Sequence, residues 1–239
     1  METTKYALEW DGQGQKQYEL GVSKGVLYKY DGTAQKWIGV AWNGLTSVSE
    51  SPDGAEENEL WADNIKYGGI RSAEKFSGSI EAYTYPDEFE GCDGLARPTG
   101  TVGLTIGQQK REKFCLCYRT EIGNDQDPEA GYRLHLVYNA ACSPSEKSYE
   151  TINDSPDAIT FSWDFDTTPI NVTGYKPTSH ISLDSTDFKT EAEKAKLTAL
   201  LEKLYGTITP GEQTGDPDVV VPAELPLPDD LISMMTIGG

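Results

Sequence analysis

The sequence predicts a mainly β protein, a β-sandwich or barrel with one flanking α-helix. Short segments rich in Tyr, Val, Ile, Thr and Trp recur along the chain, and within them apolar and polar residues alternate as in half-buried strands. Turn sequences such as D-G and N-G separate these segments, in a chain that contains 24 Gly and 13 Pro. Only one stretch, near the C-terminus, repeats its apolar residues at helical spacing.

The predicted strands follow one another along the first three quarters of the chain. They cover residues 18–30, 37–51, 64–70, 77–85, 101–108, 112–122, 131–141, 158–166 and 170–185. The sequence AITFSWDFD alternates throughout, and one of its faces carries Ile159, Phe161, Trp163 and Phe165. We expect this aromatic face to pack in a core. The opposite face carries Asp164 and Asp166, and it is left to solvent, a ligand or another copy of the chain.

The helical stretch lies between Asp187 and Gly206, and we predict a helix over about 188–205. Thr186 or Asp187 is expected to cap its N-terminus, and Gly206 stands at the C′ position. Its apolar stripe consists of Ala192, Ala195, Leu197, Leu200, Leu201 and Leu204. We expect this stripe to pack on a sheet. A shorter helical turn is predicted from Pro86, because proline suits the first helical position.

The chain is predicted to form a single β-rich domain over residues 1–206, followed by a Pro-rich arm over 207–239. Two long loops are expected within the domain, an acidic one at 49–64 that projects from the body and a second at 139–157. Prolines bar the arm from a central strand. We therefore expect it to dock on a surface, either of its own subunit or of a neighbour.

The charge balance argues against a protein that grips nucleic acid. Asp and Glu number 39 against 20 Lys and Arg, a net charge of −19. Affinity for a duplex comes largely from cations that neutralise phosphates, and in this chain acidic residues outnumber the cations about two to one. No apolar run approaches the roughly 20 residues that span a bilayer. The first residues lack a signal peptide's basic flank and apolar stretch, so we expect a protein made in the cytoplasm and not exported.

The sequence lacks the motifs of common catalytic and cofactor sites, such as G-x-S-x-G, H-E-x-x-H and G-x-G-x-x-G. The four cysteines have no metal-ligand spacing, and we interpret them as buried thiols. His135 and His180 are interpreted as ordinary strand residues. Asp164 and Asp166 could in principle form a glycosidase pair, but nothing marks one of them as desolvated. We expect no enzyme, no cofactor and no metal site.

Long phrases of the chain resemble the major tail proteins of siphovirus-type bacteriophages, which form long, non-contractile tails. The resemblance covers about residues 18–206. It is carried by YELGVSKGVLY, VAWNGLTSVSESP, LWADNIKY, SAEKFSGSIEAYTYPDEFEGCDG, CYRTEIGND, YRLHLVYNA, SPSEKSYETINDSPDAITFSWDF and INVTGYKPTSHISLDST. It implies a tail tube fold and a structural virion protein without catalytic activity, assembled in the cytoplasm of the host bacterium.

In such tubes, subunits form hexameric rings that stack, and one sheet of each subunit lines the inner barrel through which double-stranded DNA passes without specific binding. The implied partners are further copies of the chain, a tape-measure protein, a tail terminator and tail-tip proteins. A ring-forming secretion-tube protein would share this fold. The aromatic content leaves a monomeric carbohydrate-binding module as an alternative.

Within a tube, two sets of acidic residues gain candidate roles. Asp164 and Asp166 are the candidate lumen-facing residues, because a wall of carboxylates gives phosphates no binding sites. The acidic loop is the candidate contact between stacked rings, through Asp53, Glu56, Glu57 and Glu59. Its partners on the facing ring would be cations, among them Lys24, Lys29, Lys36, Arg71 and Lys75.

Overall fold

The computed structural model describes residues 12–54, 56–152, 157–210 and 218–237. The fold is mainly β, as predicted. Its strands are β1 Tyr18–Asp31, β2 Lys36–Trp42, β3 Leu45–Glu50, β4 Asp53–Gly54, β5 Glu57–Ala62, β6 Ile65–Arg71, β7 Glu74–Lys75, β8 Ser77–Ala82, β9 Phe114–Gly123, β10 Gly131–Cys142, β11 Phe161–Thr167, β12 His180–Asp184, β13 Thr207–Thr209, β14 Val219–Val221 and β15 Glu224–Leu225. Its helices are α1 Glu191–Tyr205 and α2 Pro228–Met235. None of the helices in the described ranges is long and apolar enough to cross a membrane.

A nine-stranded antiparallel sheet forms the body, in the order β15-β2-β1-β9-β10-β11-β8-β3, with β12 also paired to β10. Strand β10 changes partner along its length, because β12 pairs with Arg133–Val137 and β11 with Ala140–Cys142. The sheet curls, so that strands far apart in the hydrogen-bonded order face each other. The ring of Trp42 on β2 accordingly lies 5.9 Å from that of Trp163 on β11.

The central strands are buried on both faces, and β9 shows this most clearly. Its sequence FCLCY sends Phe114, Leu116 and Tyr118 into an inner core inside the curled sheet. Cys115 and Cys117 point the other way, into a helix core between the sheet and the two helices. Because strand side chains alternate between faces, two covered faces require an apolar residue at every position.

The inner core contains the predicted aromatic face only in part. Trp163 and Phe165 are buried in it, and Phe161 packs at its margin. Ile159 was predicted to join them, but it is 42% exposed. The reason is that β11 begins at Phe161, which pairs with the last residue of β8, Ala82. Strand β8 ends at that pair, so Ile159 lies outside the sheet although its sequence continues the alternation.

The predicted helix forms as α1, but it begins later than expected. Its N-cap is Thr190, whose Oγ1 accepts from the Glu193 backbone N–H at 3.3 Å, while the Glu193 carboxylate accepts from Thr190 N–H at 2.8 Å. This reciprocal capping box replaces the predicted cap at Thr186 or Asp187, which belong to a preceding 3₁₀ turn. Gly206 ends the helix with φ of 73°, as expected.

The described part of the C-terminal segment packs on its own subunit. β15 pairs with β2, and Leu225 and Leu231 are buried in the helix core. Lys196 of α1 donates to the carbonyls of Met234 and Thr236, at 2.8 and 2.7 Å. The sequence predicts neither α2 nor this contact, because eight residues after a Pro-rich stretch give too short a pattern to read as a helix.

The structure differs from the prediction in two segments: a predicted loop contains strands, and a predicted strand does not form. The segment predicted as an acidic loop contains β4 and β5, which pair with β7 and β6. The predicted strand at 101–108 forms only an isolated bridge between Ile106 and Ala96. Gly100 and Gly103 there have φ of 80° and 69°, a left-handed backbone that breaks a strand.

Replacing Trp163 with Ala is expected to destabilise the protein by about 3–5 kcal/mol, because it empties a fully buried site in the inner core. Ile159→Ala, at a neighbouring position of the same predicted face, should cost about 0.5 kcal/mol or less. Urea denaturation of both variants measures the difference. Equal losses would contradict the placement of Ile159 outside the core.

Candidate functional site

A long two-stranded antiparallel ribbon leaves the body between β3 and β8; we call residues 51–54 and 56–77 the ribbon. At its root Ser51 N–H donates to the Ser77 carbonyl at 2.8 Å. The pairing of the two arms continues outward from the root. It consists of the β4–β7 pair, a hydrogen bond from Ser72 N–H to the Glu56 carbonyl at 3.0 Å, and the β5–β6 ladder. The ribbon extends for roughly 40 Å if each residue adds about 3.3 Å.

The ribbon reverses direction at Asp63 and Asn64, with φ of 50° and 63°. Two successive left-handed residues form the turn whose twist matches that of paired strands, and Asp and Asn tolerate this backbone. The D-N pair between NELWA and IKYGGI is thus the sequence signal for the hairpin. A strand is predicted at 64–70, but the acidic residues before the turn favour a loop, so the hairpin itself is not predicted.

One face of the ribbon is apolar and exposed. Paired residues share a face, and the register places Leu60, Ala62, Ile65 and Ile70 together; we call these four residues the apolar face. Leu60, Ile65 and Ile70 are 44%, 64% and 60% exposed. An isolated hairpin is at best marginally stable in water, and contiguous exposed apolar side chains indicate a surface that binds something.

The opposite face of the ribbon holds Glu57 and Glu59, two of the four acidic residues predicted to contact another ring. Lys66 Nζ lies 3.1 Å from Glu57 Oε1 and 3.0 Å from Glu59 Oε1, so two of these carboxylates are paired within the ribbon. Asp53 and Glu56 lie nearer the root, and both are exposed. The structure therefore places all four predicted residues on one projecting element.

Of the cations predicted to receive these acids, Lys29 and Lys36 have partners in their own subunit, Glu112 at 2.6 Å and Glu224 at 2.7 Å. Lys29 nonetheless contributes to a basic groove with a volume of about 770 Å³. We define the basic groove by its lining residues, Lys29, Tyr30, Trp37, Lys110, Arg111, Glu112, Lys113 and Asn139. Four cations against one carboxylate make it locally positive on a strongly acidic protein.

Asp164 and Asp166 lie on a sheet surface made only of hydroxyl and carboxylate side chains. The registers of β3, β8 and β11 align the outward residues, and we call this set the polar sheet face: Ser47, Ser49, Ser77, Ser79, Glu81, Ser162, Asp164 and Asp166. Both aspartates are exposed, beside a groove of about 220 Å³ that runs along the ribbon root. The two predicted residues thus belong to a larger surface of uniform chemistry.

A polar cluster on the inner side of the sheet meets the ribbon root. Glu50, the last residue of β3, accepts a hydrogen bond from Tyr118, lies 3.1 Å from His135 Nδ1, and lies 3.3 Å from His180 Nε2. The hydrogen bonds from His135 and Tyr118 lower the pKa of Glu50 to about 2. Burial lowers the pKa of His180. Phe76, on the other arm of the root, stacks on His180 with ring centroids 4.9 Å apart.

Sequence reasoning interprets the two histidines as separate strand residues and does not bring them together. The β10–β12 register pairs His135 with Ser182, two residues from His180, and residues so placed are diagonal neighbours on one face. Glu50 comes from 85 residues away, across the curled sheet. Only the sheet pairing could have revealed the cluster.

The cysteines line none of the surfaces described above. All four, which fall within the described ranges, are unpaired and buried, as predicted. Burial raises the pKa of Cys92, Cys115 and Cys117 to about 12, so these thiols stay protonated at neutral pH.

No protein-family model matches the chain. No curated protein matches it either. Among solved structures, it is similar to a chain in the cryo-EM structure of the anti-feeding prophage (AFP) baseplate, 6-fold symmetrised. The identity is 6% and the TM-score 0.35, over 74% of this chain and 97% of that chain. At this TM-score the likeness carries no argument about function.

In the free subunit, the amides of β5 and β6 are expected to exchange with solvent more than about 100-fold faster than those of β9. The ribbon ladder opens without disturbing either core, whereas β9 opens only when the body unfolds. Hydrogen exchange read by mass spectrometry at low protein concentration measures both. Equal protection would mean that the ribbon is covered in the monomer.

Proposed function

We propose that this chain is a structural subunit of a phage tail tube, which assembles with copies of itself into hexameric rings that stack into a conduit for the genome. The observation that carries the proposal is the ribbon, whose apolar face is exposed in the single subunit. The proposal that the subunits form rings of six comes from the resemblance of the sequence to siphovirus-type major tail proteins.

A second copy of the chain is the occupant that best fits the ribbon. The ribbon combines an apolar face with six acidic and three basic residues between positions 53 and 75. The basic groove on the body offers the complementary charge, together with the aromatic side chains of Tyr30 and Trp37. A contact between different patches of identical copies is heterologous, and it propagates from one subunit to the next.

The sheet edge supports lateral assembly. β3 is the last strand of the hydrogen-bonded order, and its six residues present an edge to which another chain can pair. A ring in which each sheet continues into the next would cover such edges by closure. Edge pairing between subunits would also place the polar sheet faces of neighbours side by side.

We assign the polar sheet face to the lumen. DNA that moves through a tube must not bind its wall, and serine, aspartate and glutamate side chains provide no cation for its phosphates. Screening limits the repulsion to about 8 Å in physiological salt, so a wide channel would not exclude the DNA. Duplex DNA therefore passes without specific binding.

The remaining roles follow the same proposal. The tape-measure protein, the tail terminator and the tail-tip proteins are the expected partners in the virion, with assembly in the host cytoplasm and no enzymatic activity. A ring-forming secretion tube would use the same surfaces. A carbohydrate-binding module is the alternative from another class: Trp37, Trp42 and Trp163 are buried and cannot stack on a sugar, whereas Trp61 on the ribbon is 64% exposed.

The double variant Leu60→Ser/Ile65→Ser is expected to fold normally and to form tubes only at higher protein concentration. Both side chains are exposed, so the subunit does not depend on them, whereas the contact between rings does. We expect the concentration at which tubes appear to rise at least about tenfold, equivalent to about 1.4 kcal/mol per contact. Negative-stain electron microscopy with light scattering measures it.

The matched control is Tyr175→Ser, which removes a side chain that is 74% exposed on a turn outside the ribbon. It should assemble as the unmodified protein does. Tubes formed by the ribbon variant at the original concentration would contradict a role of the apolar face in assembly. The carbohydrate-binding alternative would be favoured if the unmodified protein stayed monomeric at all concentrations and bound to a glycan array.

Replacing Asp164 and Asp166 with Lys in the phage is expected to leave tubes intact and to lower genome delivery. Two added cations per subunit would give the phosphates binding sites along the whole wall. The measurements are plaque titre and DNA release from purified virions. The control is Glu191→Lys with Glu202→Lys, a reversal of two exposed acids on α1. An unchanged titre would place the polar sheet face outside the lumen.

A further inference from the structure

The cluster at the ribbon root has the donor set of a metal site. One carboxylate oxygen of Glu50 and one ring nitrogen each of His135 and His180 lie within 4.8 Å of one another. Two imidazoles and a carboxylate are ligands that suit Zn²⁺ and neighbouring transition metals. These are the only two histidines in the 239-residue sequence. The fold brings both to the same carboxylate.

The hydroxyl beside His135 Nε2 suits a tautomer that turns an Nδ1 lone pair toward the cluster. The Thr120 hydroxyl donates to Glu19 Oε2 at 3.1 Å, and its oxygen lies 3.2 Å from His135 Nε2. Since its one hydroxyl proton goes to Glu19, the Thr120 oxygen can accept a hydrogen bond from His135 Nε2–H. With a proton on Nδ1, His135 donates to the Glu50 carboxylate 3.1 Å away; with its proton on Nε2 instead, His135 turns an Nδ1 lone pair toward that carboxylate. Two lone pairs at that distance repel unless a cation lies between them.

His180 provides a second ring nitrogen that could bind a metal, and this nitrogen lacks a hydrogen-bond partner. Its Nε2 is buried, and among the described residues it has no hydrogen bond, although Glu50 Oε1 is 3.3 Å away. A buried polar atom without a partner is costly, and bound ions are one way that proteins satisfy it. Stacking holds both imidazoles in place, on Tyr118 for His135 and on Phe76 for His180.

We propose that Glu50, His135 and His180 bind one divalent transition-metal ion, with Zn²⁺ as the best match. Three protein ligands leave a coordination position for water, and the side chains of Glu50 and His180 remain partly exposed, which gives the ion access. Thr120 acts as the outer partner that orients His135. The four buried thiols are excluded as ligands because they lie in the cores.

The position of the site indicates what the metal would do. Glu50 ends the strand that leads into the ribbon, and Phe76 lies in the arm that returns from it. His135 and His180 belong to the body, on β10 and β12. A metal ion would tie the root of the ribbon to the sheet and fix the direction in which the ribbon projects. This inference does not depend on tube assembly.

The experiment uses untagged, chelator-treated protein labelled with ¹⁵N, to which ZnSO₄ is added at constant pH. Because the chain has two histidines, four imidazole nitrogens report on the site in one NMR spectrum. We expect His135 Nδ1 and His180 Nε2 to shift on binding and calorimetry to give one Zn²⁺ per chain. Unchanged histidine signals, with His135 carrying protons on both nitrogens, would overturn the proposal and show that a proton fills the cluster.

Variants test the ligands separately. Glu50→Gln and His180→Gln should each weaken Zn²⁺ binding at least about tenfold, since one of three protein ligands is lost. Glu81→Gln, which neutralises a carboxylate on the polar sheet face, should bind as the unmodified protein does. Binding that is equally tight in Glu50→Gln would place the metal elsewhere and overturn the proposal. The NMR result on the unmodified protein decides the question even if a variant fails to fold.

Discussion

The structure depends on the burial of its central strands on both faces. Strand β9 sends Leu116 into the inner core and Cys117 into the helix core, and the chain covers both sides by itself. The inner core is closed by the curling of the sheet, and the helix core by α1 and α2. The two cores hold nearly all the buried apolar side chains of the described residues, and neither core includes the apolar face of the ribbon. The proposed self-assembly would cover that face.

Strand β3 links the surfaces that this burial leaves open. Its outward residues, Ser47 and Ser49, extend the polar sheet face, while Glu50 points inward to the histidines. Its hydrogen-bonding edge is the end of the sheet, and the ribbon begins just after it. A neighbour that pairs with β3 would therefore act at once on the proposed lumen wall and on the ribbon root.

Features that depend on a local residue pattern could be predicted from the sequence, whereas features that depend on strand pairing could not. Alternation predicts the β class and the buried face of Trp163, and helical spacing predicts α1. Alternation also predicts a buried Ile159, which is exposed because the neighbouring strand ends first. The first arm of the ribbon is predicted as a loop because its acidic residues obscure the strand pattern, whereas the returning arm is predicted as a strand over 64–70. The cluster of Glu50 with the histidines needed the register of three strands, and the sequence alone does not give that register.

The most direct test of the account is a cryo-EM reconstruction of the assembled, purified protein. We expect a hollow tube of stacked rings in which the apolar face of each ribbon, at Leu60 and Ile65, is buried against a neighbouring copy. In the same map, Asp164 and Asp166 should line the channel. A tube whose ribbons project into solvent, or whose channel is lined by another surface, would contradict the central claim that the ribbon and the polar sheet face exist for assembly.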